Sequence, residues 1–285
     1  MESRDKKSSQ KGKEGIYGER HSERPISSHM YDDEYFLTEC AGYELFNHGE
    51  VKGILQRFSI ALDAVGNIRG KYVLDLGCGR GEMTAVLAEK GAYVIGLDYS
   101  ESALELAKKT CKTFKQALIQ ASLLRANATE IPIADGALTA VFLLDVIEHL
   151  TDWELRTVLK SVYDSLMPGG RVVIHTAPNK LRWTVLYTIA RFLARVIKAK
   201  TLPRNGRSKT DQIVHINEQT PFSLWRNLRR AGFQVRLWTD EPVGQGASLV
   251  GFAALSRLLK LQPLRFIFGF RIWAVGWKSR NRENR

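Results

Sequence analysis

The run Val73-Leu74-Asp75-Leu76-Gly77-Cys78-Gly79-Arg80-Gly81 constrains the fold more than any other part of the chain, because an apolar strand leads directly into three alternating glycines and then a helical pattern. Glycines at such a place let the backbone turn tightly and bring its N–H groups against a ligand with no Cβ in the way. The reading is a strand, a ligand-binding turn and a helix. The spacing is GxGxG and departs from the GxGxxG of dinucleotide sites, and Asp75 stands two residues before the first glycine. A carboxylate there repels a pyrophosphate and attracts an ammonium group.

From residue 71 onward short apolar runs alternate with longer helical stretches, the pattern of a parallel sheet with crossover helices. Strands are expected at 72–76, 93–97, near 119–126, and at 140–144 and 171–176, with helices at 83–90, 102–109 and 153–166. The turn Met167-Pro168-Gly169-Gly170 should stop the last helix and start the fifth strand. Beyond Asn179 the expectations are a long amphipathic helix over 181–199, a basic loop over 200–212, a helix opened by Thr220-Pro221 and closed by Ala231-Gly232, a strand at 234–238, an amphipathic helix at 249–261 that Pro263 prevents from continuing, and a strand at 270–277. The fold class is α/β: a doubly wound, mostly parallel, seven-stranded Rossmann-like sheet with helical insertions. Residues 1–30 are expected to be a disordered tail, 31–70 an N-terminal helical cover, and 71–285 the main domain with insertions at about 181–212 and 247–268.

The formal charge of +12 is unevenly placed. Residues 180–285 hold 21 Lys and Arg against 5 Asp and Glu, a net of +16, which leaves −4 for residues 1–179. Such an excess calls for an anionic partner: a membrane surface, a phosphorylated substrate or a nucleic acid. Cys40, Cys78 and Cys111 are too scattered for a disulfide framework or a CxxC site, which fits a reducing cytoplasm. The polar N-terminus lacks the apolar core of a signal peptide, and Arg191, Arg257, Lys260, Arg265 and Arg271 interrupt every candidate for a spanning helix. The expected location is cytoplasmic, with peripheral contact at the inner face of the membrane.

The second strand ends at Asp98, 17 residues beyond Gly81, where one carboxylate can accept hydrogen bonds from both hydroxyls of a ribose. Asn127 and Ala128 follow the third strand, where a side-chain amide could read an adenine edge. Plainer roles stand beside these: a bare strand-to-helix turn at Gly77–Gly81, a helix cap at Asp98 with Ser100, a turn residue at Asn127. Together the first set describes a pocket for an adenosine that bears an amino-acid tail and no phosphates. The segments DLGCGRG, GLDYS, NATEIPIADGALTAVFLLDVIEHL and LMPGGRVVI, in this order between residues 73 and 179, resemble the class I S-adenosylmethionine-dependent methyltransferases. The resemblance implies S-adenosyl-L-methionine as cofactor, held by Asp75, Gly77, Cys78, Gly79, Gly81, Asp98, Tyr99, Asn127, Ala128 and Asp145. The family usually has Asp where Asn127 stands.

Methyl transfer needs a base only where the acceptor is a poor nucleophile such as a sugar hydroxyl or a phenol. His149, His215 and His175 are the candidates, all expected near the carboxyl edge of the sheet. Asp145, Glu148 and His149 fall at i, i+3 and i+4, would share a face on a helical turn and could ligate a divalent cation; their DxxEH pattern is similar to the ExxEH of some quinone O-methyltransferases of this superfamily. The alternative, and the expectation, is that no metal binds: Asp145 contacts the donor's amino group or caps the helix while Glu148 and His149 fix the fold. HINEQTP at 215–221, YDDEYF at 31–36 and GYE at 42–44 resemble segments of bacterial methyltransferases that act on cell-surface polysaccharide or lipid-linked acceptors. In 181–199, Arg191, Arg195 and Lys198 line one face of an otherwise apolar helix, which reads either as an interfacial helix on anionic lipid or as a lid packed on the enzyme; Arg257, Lys260 and Arg265 repeat the composition. Nucleic acid is disfavoured as partner because Leu144-Asp145-Val146 stands where a base-methylating [DN]PP[YW] sequence would. The expected function is methyl transfer to a small-molecule, glycan or lipid-linked acceptor, with oxygen ahead of nitrogen; an RNA methyltransferase and a non-catalytic adenosyl-binding subunit are the alternatives.

Overall fold

The computed structural model describes residues 24–40, 42–49, 51–196, 209–240 and 261–280. Seven strands, β1 (Tyr72–Leu76), β2 (Tyr93–Asp98), β3 (Ala121–Arg125), β4 (Leu138–Leu144), β5 (Leu166–Thr176), β6 (Gln234–Asp240) and β7 (Arg271–Trp277), form one sheet in the order β3-β2-β1-β4-β5-β7-β6. The first five run parallel, and β7 is inserted antiparallel between β5 and β6. Near-continuous apolar residues in β1 and β4 fit this arrangement, because both faces of a central parallel strand are covered.

Helices α1 (Tyr43–Asn47), α2 (Val51–Val65), α3 (Glu82–Glu89), α4 (Glu101–Thr113), α5 (Ala117–Gln120), α6 (Asp152–Ser165), α7 (Thr188–Val196), α8 (Lys209–Val214) and α9 (Pro221–Arg230) surround the sheet. One face is covered through Phe58 and Ala61 of α2 and Val86 and Leu87 of α3. Leu155, Val158, Leu159 and Val162 of α6, with Leu224 and Leu228 of α9, cover the other. Capping boxes fix the starts of these two last helices, Thr151 with Glu154 and Thr220 with Ser223, so the Thr-Pro signal opens α9 as its sequence implies. Chain order reverses between β1 and β4. A crevice opens beyond the carboxyl ends of strands at such a switch point, and both the glycine turn and Asp145 stand there.

Four expectations change. Residues 24–30, assigned to a tail by composition, are structured: Ser27 caps the 3-10 turn Ser28–Met30, and Ile26 packs against a cluster around Tyr31. Residues 1–23 lie outside the described residues. The Met-Pro-Gly-Gly turn does not precede β5 but interrupts its pairing, because Leu166 already pairs with Leu138 before the register resumes at Ala140 and Arg171. The 181–199 helix begins with π-helical turns over Arg182–Tyr187 and continues as α7. Helix α8 occupies the end of the segment read as a basic loop, whereas the helix expected at 249–261 falls almost wholly outside the described residues. Pro263 is the N-cap of the short helix Leu264–Phe268.

Gly81 lets α3 and α4 approach. Its φ is +76°, and a Cβ there would lie 2.7 Å from the Cβ and 2.8 Å from the Cα of Ala107. Gly136 shares the positive φ (+70°) but has open space around it. Gly136→Ala should therefore cost only backbone strain, about 1–2 kcal/mol, while Gly81→Ala adds an overpacking cost of roughly 1–3 kcal/mol. Urea denaturation of the two variants measures the difference; equal losses would show that the α3–α4 contact yields freely.

Candidate active site

The turn after β1 is built by positive φ angles at Gly77 (+73°) and Gly79 (+51°), conformations that favour glycine. A Cβ on Gly77 would strike Val146 at 2.5 Å. The N–H groups of Gly77 and Cys78 donate to the carbonyl of Leu97 at 2.7 and 3.0 Å, which ties the turn to the end of β2. There Asp98 closes the arrangement. Its Oδ2 accepts from the Gly79 N–H and its Oδ1 from the Ser100 N–H, each at 2.9 Å. The helix cap is Ser100, whose hydroxyl accepts from the Ala103 N–H, so the Asp98 carboxylate is not spent on capping α4.

Burial pushes the Asp98 carboxyl above its usual range, against the pull of the backbone N–H groups. Asp75 is buried too and accepts the Thr84 hydroxyl at 2.6 Å; burial, only partly offset by that bond, pushes it up to about 7, and the nearby charge of Asp98 adds to the rise. Among the described residues neither carboxylate has a cationic partner. Both line a cavity of about 1150 Å³, its open mouth included. A hollow holding two such carboxylates fits a donor with an ammonium, a sulfonium and a ribose, and it repels a pyrophosphate.

Of the residues expected to hold the donor, Asp75, Gly77, Cys78, Gly79, Asp98, Tyr99, Asn127, Ala128 and Asp145 line this cavity. Gly81 does not, since it faces α4. Asn127 has both roles offered for it: Oδ1 accepts the N–H and the hydroxyl of Thr129 in a turn, while the residue remains on the cavity wall.

The N-terminal cover supplies the opposite wall with Pro25, Ile26, Tyr31, Tyr35, Phe36 and Cys40. Arg80, only 2% exposed, fastens it: the guanidinium donates to the carbonyls of Phe36 (2.6 Å) and Cys40 (3.3 Å) and pairs with Glu82 (2.8 Å). The Ser100 hydroxyl donates to the Tyr31 carbonyl at 2.6 Å. Sequence reasoning passed over Arg80, because its partners are backbone carbonyls 44 and 40 residues upstream that no side-chain pattern announces.

Only one of the three histidines proposed as catalytic reaches the cavity. His149 lines it, with Nδ1 3.0 Å from both the Tyr31 hydroxyl and the Val214 carbonyl. A carbonyl only accepts, so Nδ1 carries the proton and Nε2 the lone pair. Burial, reinforced by the adjacent His215, pushes the imidazole down to about 3. His215 stands behind it, ring centroids 4.9 Å apart, outside the cavity lining. His175 is likewise set back: its Nδ1 is 2.7 Å from Asp145 Oδ1, and its ring lies against Trp273.

The shared face expected for Asp145, Glu148 and His149 does not form. Asp145 has φ +59° and turns to His175, and only Ile147–His149 makes a 3-10 turn. Glu148 is buried and accepts the Thr176 hydroxyl; burial and the charge of Asp145 push its carboxyl well up. The side chains that come together, with ligand atoms within 4.8 Å of one another, are Glu148, His149 and His215.

A methyltransferase-domain family matches residues 73–170. A demethylmenaquinone methyltransferase of Clavibacter sepedonicus is 32% identical over 182 residues, 60% of this chain and 68% of that one. A ubiquinone biosynthesis O-methyltransferase of Aeromonas salmonicida is 28% identical over 79% of this chain and 89% of its own length. Other matches are partial: the chain spans 43% and 53% of the length of two further curated relatives. In fold it is similar to a SAM-dependent methyltransferase of Archaeoglobus fulgidus, with TM-score 0.56 and 21% identity over 86% of this chain and all of that one. With this sheet order and these relatives, the chain belongs to the class I S-adenosylmethionine-dependent methyltransferase superfamily.

Proposed function

We propose that this chain transfers a methyl group from S-adenosylmethionine to an oxygen of a small-molecule acceptor presented at a membrane surface. The observation that carries the reading is the pair of buried carboxylates without cationic partners, Asp75 and Asp98, at the foot of the glycine turn, facing a wall on which His149 stands. When bound there, the donor supplies an electrophilic methyl group on a positively charged sulfur. Asp98 is placed to hold the ribose hydroxyls and Asp75 to balance the positive tail. The cover fastened by Arg80 keeps water from the reacting face, and positioning of this kind accounts for much of the acceleration in such a transfer.

At about 3 the His149 imidazole is unprotonated at any physiological pH and too weak a base to keep a proton. Its Nε2 lone pair therefore serves to accept a hydrogen bond from the acceptor hydroxyl and orient it toward the methyl group. Tyr31, Tyr35, Phe36 and Tyr99 beside it form an aromatic wall that suits a ring-bearing acceptor. The relatives named as quinone methyltransferases support an acceptor of that type; a glycan or lipid-linked acceptor is the second reading, supported by the charge of the last third.

Membrane contact would come through α7 and the turns before it. Among the described residues no helix is long and apolar enough to cross a membrane. Leu186, Ala190 and Ala194 pack inward, yet Val185, Ile189, Phe192 (64% exposed) and Val196 (62%) form a second apolar stripe that faces out, with Arg195 exposed beside it. A lid needs one apolar face; this element has two, and the outer one with its cations matches anionic lipid.

Three measurements test these points. In calorimetry with S-adenosylhomocysteine, an ammonium beside Asp75 keeps that carboxylate ionised, so binding expels a proton and affinity should rise with pH up to about 7 and then level. Asp75→Asn should flatten that slope, and Asp98→Ala should weaken binding by about ten-fold or more; wild-type affinity in Asp98→Ala defeats the ribose assignment. His149→Asn should lower kcat by roughly 10- to 100-fold without removing any ionisation from the pH profile between 6 and 8; a lost step near neutrality would mean the imidazole titrates in the working enzyme. Cosedimentation with anionic liposomes should weaken in Ile189→Glu/Phe192→Glu, and absence of binding by the unmodified chain removes the membrane proposal.

A further inference from the structure

A second hollow lies outside the donor cavity, in the trough between α6 and α9, and it encloses about 640 Å³ with its open side counted. Arg156 comes from α6, and Arg226 and Arg230, four residues apart on one face, come from α9. Lys180 closes one end, held there because its N–H donates to the Gln219 carbonyl at 2.9 Å. Every other residue in the lining carries a hydroxyl, an amide or a carboxylate.

Four cations thus share one trough with two carboxylates, Asp152 and Glu218. Among the described residues none of the four enters an ion pair, although elsewhere on the surface Arg125 pairs with Glu101 and Lys160 with Asp164. Cations gathered without partners repel one another, and an anion among them relieves that repulsion. Three are arginines, whose planar forks match the oxygens of a phosphate. The side-chain Nδ2 of Asn217 is a buried donor with no hydrogen-bond partner in the same wall. We infer that this trough binds a phosphate-bearing group.

Its place gives that group a use. The Asn217 N–H donates to the Glu148 carbonyl at 3.0 Å, and the next residue, His149, stands on the wall of the donor cavity. One segment of chain therefore separates trough from cavity, and a molecule anchored by its phosphate has its far end delivered toward His149. The affinity for phosphate stands by itself; its service as a handle for the acceptor rests on the methyl-transfer reading above. The phosphate has two sources with the same chemistry, the acceptor itself or a phospholipid headgroup.

Calorimetric titration of the full chain with sodium pyrophosphate, against sodium chloride matched in ionic strength, tests the site. Arg226→Gln/Arg230→Gln should bind pyrophosphate about ten-fold more weakly than the unmodified chain while keeping its affinity for S-adenosylhomocysteine, which shows that the variant is folded and that the donor site is unaffected. No binding beyond the chloride control, or equal pyrophosphate affinity in the double variant, overturns the inference whatever the donor does. Cosedimentation with phosphatidylcholine vesicles, with and without phosphatidylglycerol, separates the sources. Loss of phosphatidylglycerol-dependent binding in the variant assigns the trough to a headgroup. Unchanged vesicle binding beside lost pyrophosphate binding assigns it to a phosphate carried by the acceptor.

Discussion

The carboxylate of Asp98 is the interaction on which the candidate site depends. It joins two backbone N–H groups 21 residues apart, those of Gly79 and Ser100, and so locks the turn after β1 to the start of α4. The cost is desolvation of a buried charge, which only hydrogen-bond donors or a ligand offset. Without a carboxylate at this strand end the glycine turn would be tied to β2 through the two N–H bonds to Leu97 alone. The same oxygens retain lone pairs toward the cavity, so the group that organises the pocket is also the one placed to read a ribose.

Around that lock the N-terminal segment is fastened by a second buried charge. A guanidinium that is almost wholly withdrawn from water is tolerable because Glu82 and two carbonyls satisfy it. Arg80 lies between Gly79 and Gly81, so turn and cover are held by adjacent residues of one loop. The contacts that hold the cover against the pocket therefore spring from the loop that forms its floor.

The strands and the glycine turn were legible in the sequence because their signals are local: alternation of apolar runs, and glycines where φ must be positive. The Thr-Pro start of α9 was legible for the same reason. What escaped were contacts between distant residues. Tyr31 reaches His149 across 118 positions and Val214 reaches it across 65, and no periodicity encodes either. The DxxEH spacing misled because it presumed a helical turn, whereas Asp145 takes a left-handed backbone conformation and is drawn to His175 on the adjacent strand. Composition misled at residues 24–30, where Ile26 does pack once the Tyr31 cluster offers it a surface.

The distribution of charge along the chain now has a structural counterpart. Residues 1–179, with a net of −4, contribute the carboxylates of the donor cavity, and residues 180–285, with +16, contribute three of the four cations of the trough. Each hollow also holds the other sign, Arg80 in the first and Asp152 and Glu218 in the second, but Arg80 is already bound to Glu82 and two carbonyls, and the four cations of the second outnumber its two carboxylates. The 147–149 turn and the 215–219 segment bonded to it stand between the two hollows, and Asp75 and Asp98 on one side form no ion pair with the four cations on the other. Under the proposed function, that separation would seat a donor with a positively charged sulfur and an acceptor bearing a phosphate in different hollows, with the segment that bears His149 between them.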